Sequence, residues 1–543
     1  MAVKRLANVK TRKETGLDYV VSAVNSLTPF GTKQLREQKP FMPGHETELR
    51  EELDRVQVIM DIARANPKDI GLLQETFMVM KDNTVTIERS VSSVLSVVEI
   101  FEIKSLLLQM EKIRNISEKL SFPDEFVPDD TTDLLDILDP GRDRLNTFYI
   151  YDVFSDKLGE LRKEKKETER ALRKTQKALK EIVKDKYGVN LTPKFEVVIS
   201  KSDPQSIKMI GEIEELIRSD EDYMSVTFSL APTEETDSLI RRGDELMKLI
   251  EEEELEVRVY LSKEINKYET VLLENCAKAG RLDVTLAKAL YADSHDCVMP
   301  EITGDHIIEF EDGRNLQVED VLKKKGKEYC PVSISLNDGV TCITGANMGG
   351  KTVSLKLVGM VAVLAQYGFF VPCRRARVGL SNYMQILIGD SQSIERGLSS
   401  FGSEMEELKE ILDNGRDRSL ILIDEIASGT NPAEGLALTR SLVDYLKTKA
   451  YITLITTHFE TVTEDKSVRN MQVKGLEGAD FGRLDKEIRY AGRKERIDII
   501  SRYMDYRLVL VEDAAEIPKD ALNIAKMLGI DRDIIEKAKE YMK

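Results

Sequence analysis

The residues best suited to chemistry lie between Gly345 and Thr352, in the order Gly-Ala-Asn-Met-Gly-Gly-Lys-Thr. The stretch follows an apolar run and precedes a helical one, with the spacing of a phosphate-binding loop. Gly345, Gly349 and Gly350 let backbone N–H groups curl around a phosphate, and the helix N-terminus adds partial positive charge. Lys351 can reach terminal phosphates, and the Thr352 hydroxyl can ligate Mg²⁺. A nucleotide-phosphate site is therefore predicted, and a chance Gly-rich turn is the alternative.

Two downstream apolar runs end in residues that complete such a site. The run that starts at Leu420 ends in Asp424 and Glu425. The first acid can hold Mg²⁺, and the second can orient and deprotonate an attacking water. His458 ends the next predicted strand, where it would point into the ligand crevice of a parallel sheet and bond the γ-phosphate or the water. The alternatives are solvated acids and a structural histidine.

A polar loop, Gly397 to Met405, leads into a predicted helix. Its hydroxyl groups, Ser399 among them, and the helix N-terminus could bind phosphate. That phosphate need not belong to a nucleotide held by the same chain. An ordinary capping loop is the alternative.

Composition narrows the class of protein. At 543 residues the chain is long enough for roughly two to four domains. The net charge of −17 disfavours a uniformly basic nucleic-acid binder and leaves room only for local basic patches. Five scattered cysteines and four histidines form no metal-site spacing, which fits a reduced, cytoplasmic protein. No secretion signal and no apolar run approaching about 18 residues is present, so no membrane span is expected.

The N-terminal part, from about residue 16 to residue 145, has a helical pattern. Apolar residues alternate at spacings of four and three, which is typical of an amphipathic helix, at Leu49, Leu53, Val56, Met60 and Ala63. A longer and more apolar helix is predicted from Val91 to Met110, with Val91, Val94 and Val98 among its core residues.

Two charged helices are predicted on either side of a short strand-containing segment. Residues 156–188 hold 12 Lys and Arg against 7 Asp and Glu, a net of +5. Residues 233–259 hold 10 acids against 4 bases, a net of −6. Narrow apolar stripes and opposite charges favour an antiparallel helical hairpin with residues 189–232 at its tip. The basic arm is either a solvated helix face or a nucleic-acid contact.

The C-terminal part mixes strands and helices. The short, apolar, β-branched runs 341–344, 420–424 and 451–457 are typical of buried parallel strands covered by helices on both faces. The last segment, from Lys519, is predicted to be helical with a break at Gly529.

Taken in order, these motifs resemble the MutS ATPase family. Asn347-Met348-Gly349 inside the phosphate loop is not a generic feature. Two further stretches are similar to the second, non-mismatch-reading branch of that family. The stretches that carry the resemblance are Thr344 to Thr352, Ser399 to Met405, Asp424 to Thr430 and Thr456 to Phe459, with the branch indicated by Gly389 to Ile394 and Asn431 to Gly435.

The resemblance implies an ABC-type ATPase that forms a homodimer around two ATP molecules with Mg²⁺. It also implies a role for each site residue. Lys351 and Thr352 would bind phosphate and Mg²⁺, within a loop that contains Gly345, Gly349 and Gly350 and is shaped by Asn347. Asp424 would hold Mg²⁺, and Glu425 would be the catalytic base. His458 would sense the γ-phosphate, and Ser399 would contact the nucleotide of the partner subunit.

It further implies a multi-domain fold: an all-α lever and a helical-hairpin clamp, followed by an α/β P-loop ATPase domain. The expected divisions are a lever over 1–155, clamp arms over 156–270, a connector over 271–315, and the ATPase domain with C-terminal dimerisation helices over 316–543. None of the sixteen phenylalanines stands in a Phe-x-Glu wedge, and the chain stops at Lys543. We therefore expect neither the mismatch-reading domain nor the nuclease-like domain of some relatives.

Two hypotheses about function stay open at this level. In the first, ATP drives the arms to clamp branched or structured DNA, as in DNA repair or recombination. In the second, the same clamp acts on a protein client, as in a reactivating factor for a metabolic enzyme. The basic arm and the resemblance favour the first, and the acidic overall charge favours the second.

Overall fold

The structure is a computed structural model in which residues 6–345, 350–389, 400–427, 430–463, 465–476, 479–490, 496, 499–500, 502–511 and 520–541 are described. The chain forms two compact units. The first contains residues 1–78, 120–122 and 279–543, and the second contains residues 79–119 and 123–278. None of the helices in the described part of the chain is long and apolar enough to cross a membrane.

The N-terminal segment of the first unit is helical, as predicted. Thr28 caps the third helix by accepting a hydrogen bond from the Gly31 N–H, and Pro29 occupies its first turn. The five apolar positions predicted for an amphipathic helix all lie in the fourth helix and are buried, so that prediction is confirmed. The helices are α1 (Val9–Glu14), α2 (Leu17–Ala23), α3 (Pro29–Glu37), α4 (Glu46–Ala65) and α5 (Pro67–Met78).

The second unit begins with α6 (Thr84–Arg89), α7 (Val97–Lys119) and α8 (Thr132–Leu138). The predicted start of the long helix at Val91 is wrong. Ser96 and Glu99 form reciprocal bonds between side chain and backbone, with Ser96 N–H donating to Glu99 Oε2 at 2.8 Å, and this capping box starts the helix at Val97. Val91, Val94 and Val98 are consequently exposed rather than in the core.

The rest of the second unit is built on two long helices. In chain order it contains α9 (Asp156–Tyr187), β1 (Glu196–Ser200), α10 (Pro204–Gly211), β2 (Leu216–Glu221), β3 (Ser225–Leu230), α11 (Glu234–Lys267) and α12 (Glu269–Ser294), whose last residues belong to the first unit. Helices α9 and α11 pack together in antiparallel directions. Ion pairs join them, with Lys157 to Glu253 at 2.8 Å and Arg162 to Glu254 at 2.7 Å.

Residues between these two helices fold into a small sheet with strand order β1-β3-β2, all antiparallel. The strand-like runs at 195–200 and 223–230 correspond to β1 and β3. Strand β2 and helix α10 were not predicted. Strand β2 is largely exposed and polar, so it lacks the apolar alternation that indicates a strand. Val226 and Phe228 of β3 face a core that includes Val183 and Ile210.

The C-terminal part of the first unit holds two sheets. Its elements are β4 (Glu301–Thr303), β5 (Ile307–Gly313), α13 (Leu316–Lys324), β6 (Val332–Asn337), β7 (Gly339–Thr344), α14 (Lys351–Gln366), β8 (Arg375–Gly379), β9 (Tyr383–Ile388), α15 (Ser400–Asn414), β10 (Ser419–Asp424), α16 (Pro432–Lys447), β11 (Tyr451–Thr456), β12 (Arg469–Gly475), α17 (Phe481–Tyr490), β13 (Asp505–Leu510), α18 (Asp520–Met527) and α19 (Arg532–Tyr541). The predicted break between the last two helices is confirmed, with Gly529 at φ +92°.

The larger sheet has the strand order β13-β12-β7-β11-β10-β9, and the smaller has the order β4-β8-β5-β6. In the larger sheet, β12, β7, β11, β10 and β9 are parallel, and β13 is antiparallel to β12. The three predicted parallel strands are β7, β10 and β11, and they are adjacent. In β11 every residue is buried, as expected for a strand covered on both faces.

A buried ion pair stabilises the second unit. Lys104 on α7 donates to Asp139 Oδ1 at 3.0 Å and to the Thr147 carbonyl at 2.9 Å. The Lys104 side chain is 0% exposed and that of Asp139 is 1% exposed. The Arg144 backbone N–H satisfies the second Asp139 oxygen at 2.9 Å. The pair therefore ties α7 to the residues that follow α8.

We expect Lys104→Met to lower the free energy of unfolding of this unit by about 3–5 kcal/mol, because it leaves the Asp139 carboxylate buried without its cation. Lys81→Met is the matched control. Lys81 pairs at 3.3 Å with Glu102, which lies on α7 as Lys104 does, but the Lys81 side chain is 72% exposed. The control should cost less than about 1 kcal/mol. Urea denaturation measures both changes, and equal small losses would contradict the prediction.

Candidate functional site

Parallel register brings three strand ends to one edge of the larger sheet. Ile343 of β7 lies opposite Thr456 of β11, and Thr456 lies opposite Asp424 of β10. The Thr457 N–H donates to the Ile343 carbonyl at 3.1 Å and extends the pairing by one residue. The phosphate loop, the acid pair and the histidine therefore leave the sheet side by side.

The phosphate loop begins and ends at glycines with left-handed backbone. Gly345 has φ +118° and Gly350 has φ +77°. A Cβ atom on Gly350 would lie 3.1 Å from the Tyr506 ring of β13. Both strain and crowding therefore require glycine at residue 350, immediately before the first turn of α14. Asn347 and Gly349, predicted parts of this loop, lie outside the described residues.

Lys351 is held at the centre of the site. Its ammonium group donates to the Gly345 carbonyl at 2.8 Å and lies 3.3 Å from Glu425 Oε1 and 3.2 Å from His458 Nδ1. Its side chain is only 2% exposed. Burial lowers the pKa of Lys351, and the nearby Glu425 carboxylate opposes that shift.

His458 connects the lysine to the acid. Its Nε2 lies 2.8 Å from Glu425 Oε1, while its Nδ1 faces the Lys351 ammonium. An ammonium group can only donate, so Nδ1 accepts and the proton of a neutral imidazole stands on Nε2. The hydrogen bond from His458 is the largest influence that lowers the pKa of Glu425, so that carboxyl is ionised at neutral pH.

Thr352 and Asp424 form a second cluster beside the first. The Thr352 hydroxyl donates to Asp424 Oδ2 at 2.8 Å. The Thr456 hydroxyl donates to Asp424 Oδ1 at 2.6 Å. A hydroxyl and a carboxylate fit Mg²⁺ at a phosphate site, where the ion takes one or two protein oxygens together with phosphate and water. No group of three or more acids, histidines or cysteines that could hold a metal by themselves occurs in the described part of the chain.

The turn after β10 has unusual backbone. Glu425 has φ +51° and Ala427 has φ +59°. The Glu425 N–H donates to both the carbonyl and the hydroxyl of Thr456 at 3.1 Å. The Ala427 N–H donates to Glu404 Oε1 of α15 at 3.0 Å. Tertiary hydrogen bonds thus hold the backbone around Glu425.

The structure brings together Gly345, Gly350, Lys351, Thr352, Asp424, Glu425 and His458 of the predicted site residues. Ser399, the predicted contact to a partner's nucleotide, lies outside the described residues, immediately before α15. A buried cation beside an ionised carboxylate and an imidazole can bind phosphate oxygens and orient a water for phosphoryl transfer.

Sequence reasoning missed three residues of this site. Thr456 stands within a stretch that carries the family resemblance, but only the fold shows that its hydroxyl reaches Asp424. Tyr506 has only the sequence pattern of an ordinary strand residue, although its ring lies against Gly350. Glu404 stands within a stretch that carries the family resemblance, but only the fold shows that it reaches Ala427.

Comparison with known proteins agrees with this geometry. Residues 341–543 match the family MutS domain V. The protein named Endonuclease MutS2 of Clostridium botulinum (strain Langeland) is 31% identical over 312 residues, which cover 56% of this chain and 36% of that protein. The protein of the same name from Fusobacterium nucleatum subsp. nucleatum is 32% identical over 316 residues, with the same two coverages.

These matches span little more than a third of the length of the curated relatives, so the activities of the whole relatives do not pass to this chain by similarity alone. The matched domain contains the phosphate loop, the acid pair and the histidine. Both the domain and the relatives are those that the motifs predicted. The chain is therefore similar to the MutS family through MutS domain V at residues 341–543, and the curated relatives that it matches are named MutS2.

Proposed function

We propose that this protein binds and hydrolyses ATP with Mg²⁺ as a homodimer joined through its ATPase domains, and uses the cycle to clamp DNA with its paired helices. The observation that carries the ATPase part is the contact of Lys351, Glu425 and His458 at the end of three adjacent parallel strands. Similarity to MutS domain V and to proteins named Endonuclease MutS2 supports ATP as the nucleotide and a DNA-related role.

Each site residue has its own role in the proposed hydrolysis of ATP. Lys351 exchanges its contacts with Glu425 and His458 for phosphate oxygens, which leaves Glu425 free to accept a proton from water. Thr352 and Asp424 would hold Mg²⁺, which would supply positive charge for the phosphates. His458, with its proton on Nε2, can donate to the γ-phosphate or orient the water. Before nucleotide binds, the His458 hydrogen bond lowers the pKa of Glu425, so the carboxylate is in the ionised form that can accept a proton.

The ATPase part predicts opposite behaviour for two variants. Lys351→Ala should abolish MgATP binding, because it removes the buried cation that neutralises the phosphates. Glu425→Gln should bind MgATP and fail to turn it over, which would accumulate a closed dimer. Calorimetry measures MgATP binding, phosphate release measures turnover, and light scattering measures dimer formation.

Lys466→Ala is the control, since this exposed lysine lies in the same unit and away from the site. Lys466→Ala should match the unsubstituted protein in MgATP binding, turnover and dimer formation. Retained turnover in Glu425→Gln would remove that residue from its role. Turnover absent in the parent protein would overturn the ATPase proposal itself.

The DNA part rests on a basic stripe along α9. Five exposed residues recur at spacings of three, four, three and four, and so share one helix face about 21 Å long. They are Lys163, Lys166, Arg170, Arg173 and Lys177. No ion pair with another described residue neutralises them, whereas Lys157 and Arg162 of the same helix pair with α11. A row of unpaired cations of this length matches the phosphate backbone of a duplex.

We expect the combined variant Lys166→Ala, Arg170→Ala and Arg173→Ala to bind branched DNA more weakly. The slope of log affinity against log salt should become shallower by up to about 0.9 per lost phosphate contact. Fluorescence anisotropy with a labelled four-way junction, measured at several salt concentrations, gives both quantities.

The charge-matched control is Lys323→Ala, Lys324→Ala and Lys325→Ala, which removes three exposed lysines from the other unit. It should leave the slope unchanged. An equal loss in both triple variants would indicate only a general effect of net charge. No binding by the parent at low salt would exclude the DNA role and leave ATP turnover to a protein client.

A further inference from the structure

Helix α15 is connected to the turn that carries the proposed base. Glu404, in the second turn of α15, accepts the Ala427 N–H at 3.0 Å. Its carboxyl is half-buried, and burial raises its pKa. Ala427 is 1% exposed, so water cannot readily replace Glu404 as the acceptor.

This hydrogen bond matters because the turn is strained. Glu425 and Ala427 both adopt left-handed backbone without being glycine. Such backbone is unfavourable for a residue with a Cβ atom and persists only where neighbouring structure holds it. Thr456 holds the first residue through the Glu425 N–H. On the other side, a Cβ atom on Gly435 would lie 2.9 Å from the Ala427 carbonyl oxygen, so α16 packs directly against the turn.

The N-terminal segment in turn holds α15. Lys10 donates to both carboxylate oxygens of Glu407 at 2.7 and 2.8 Å and to the Ile388 carbonyl at 3.3 Å. Glu407 follows Glu404 by three residues, so both face the same side of α15.

The segment itself is attached to the edge strand β9 of the larger sheet. Leu6 accepts from the Met384 N–H at 2.8 Å, and Thr11 accepts from the Ile386 N–H at 3.2 Å. One turn further along, Glu14 pairs with Lys356 of α14 at 2.7 Å. Residues 6–14 therefore contact both the helix that follows the phosphate loop and the helix that carries Glu404.

We propose that Glu404 is a positioning residue that orients Glu425 through the Ala427 N–H, and that Lys10 holds α15 in the place from which it does so. The inference rests on the proposed function, since Glu425 is the base of that reaction. Glu404 touches neither nucleotide nor water in this account. It acts on the direction of the Glu425 side chain by selecting the strained backbone from which that side chain leaves.

The test compares Glu404→Ala with Glu404→Gln in the full chain. Glutamine keeps an oxygen that can accept the Ala427 N–H, whereas alanine does not. We expect Glu404→Ala to lower kcat for ATP between about 10- and 100-fold, because displaced catalytic groups lose about that much. Its MgATP affinity should stay within about threefold of the parent, since Lys351 and Thr352 are untouched. Glu404→Gln should restore most of kcat, and Lys10→Ala should show a smaller loss than Glu404→Ala.

Glu410→Ala is the matched control, an exposed glutamate two turns along the same helix. Amide hydrogen exchange at Ala427 provides a readout that does not depend on ATP turnover. Exchange should be roughly five- to tenfold faster in Glu404→Ala than in Glu404→Gln or Glu410→Ala, as expected for loss of one hydrogen bond.

Unchanged exchange at Ala427 in Glu404→Ala would overturn the inference whatever the ATPase activity. Equal loss of kcat in the alanine and glutamine variants, or a parallel loss of MgATP affinity, would also overturn it. A parent protein without turnover whose Glu404→Ala variant still exchanges faster at Ala427 would refute the proposed function and leave the positioning contact in place.

Discussion

The site depends on the register of three parallel strands. With Ile343 opposite Thr456 and Thr456 opposite Asp424, the chain leaves β7, β11 and β10 at one level of the sheet. A shift of one residue in β10 would turn Asp424 to the other face and separate it from Thr352. Burial of all three strands makes such a shift costly, because each side chain would have to pack against the layer on the opposite face of the sheet. The packing of the sheet therefore protects the chemistry at its edge.

Charge burial is the second constraint. Lys351 is almost completely buried, and burial disfavours its charged form. Glu425 compensates as its counterion, and His458 bonds to both. A buried cation paired with a carboxylate is well suited to exchange that contact for phosphate, because the anionic ligand restores the same compensation. In the proposed function, phosphate binding by Lys351 and the release of Glu425 to act as the base would therefore be a single exchange of contacts.

Much of the fold and of the candidate site could be predicted from local sequence patterns. The strands around the site are short and β-branched, and the phosphate loop has its own spacing. The amphipathic pattern placed Leu49 to Ala63 in a buried helix. Prediction failed at Val91 to Val98, where apolar content outweighed a weaker local signal. Ser96 and Glu99 start the helix later, because a capping box satisfies N–H groups that apolar side chains cannot.

The sequence by itself determined which residues are candidates for the site and in what order they occur, because phosphate binding and Mg²⁺ binding would need those residue types at local spacings. Only the tertiary structure decided that Lys10 reaches Glu407, that Glu404 reaches Ala427 and that Tyr506 covers Gly350. These pairs are far apart in the chain, and each residue alone has an ordinary local role. Their contacts follow from which helix or strand packs on which, and no short-range pattern encodes that choice.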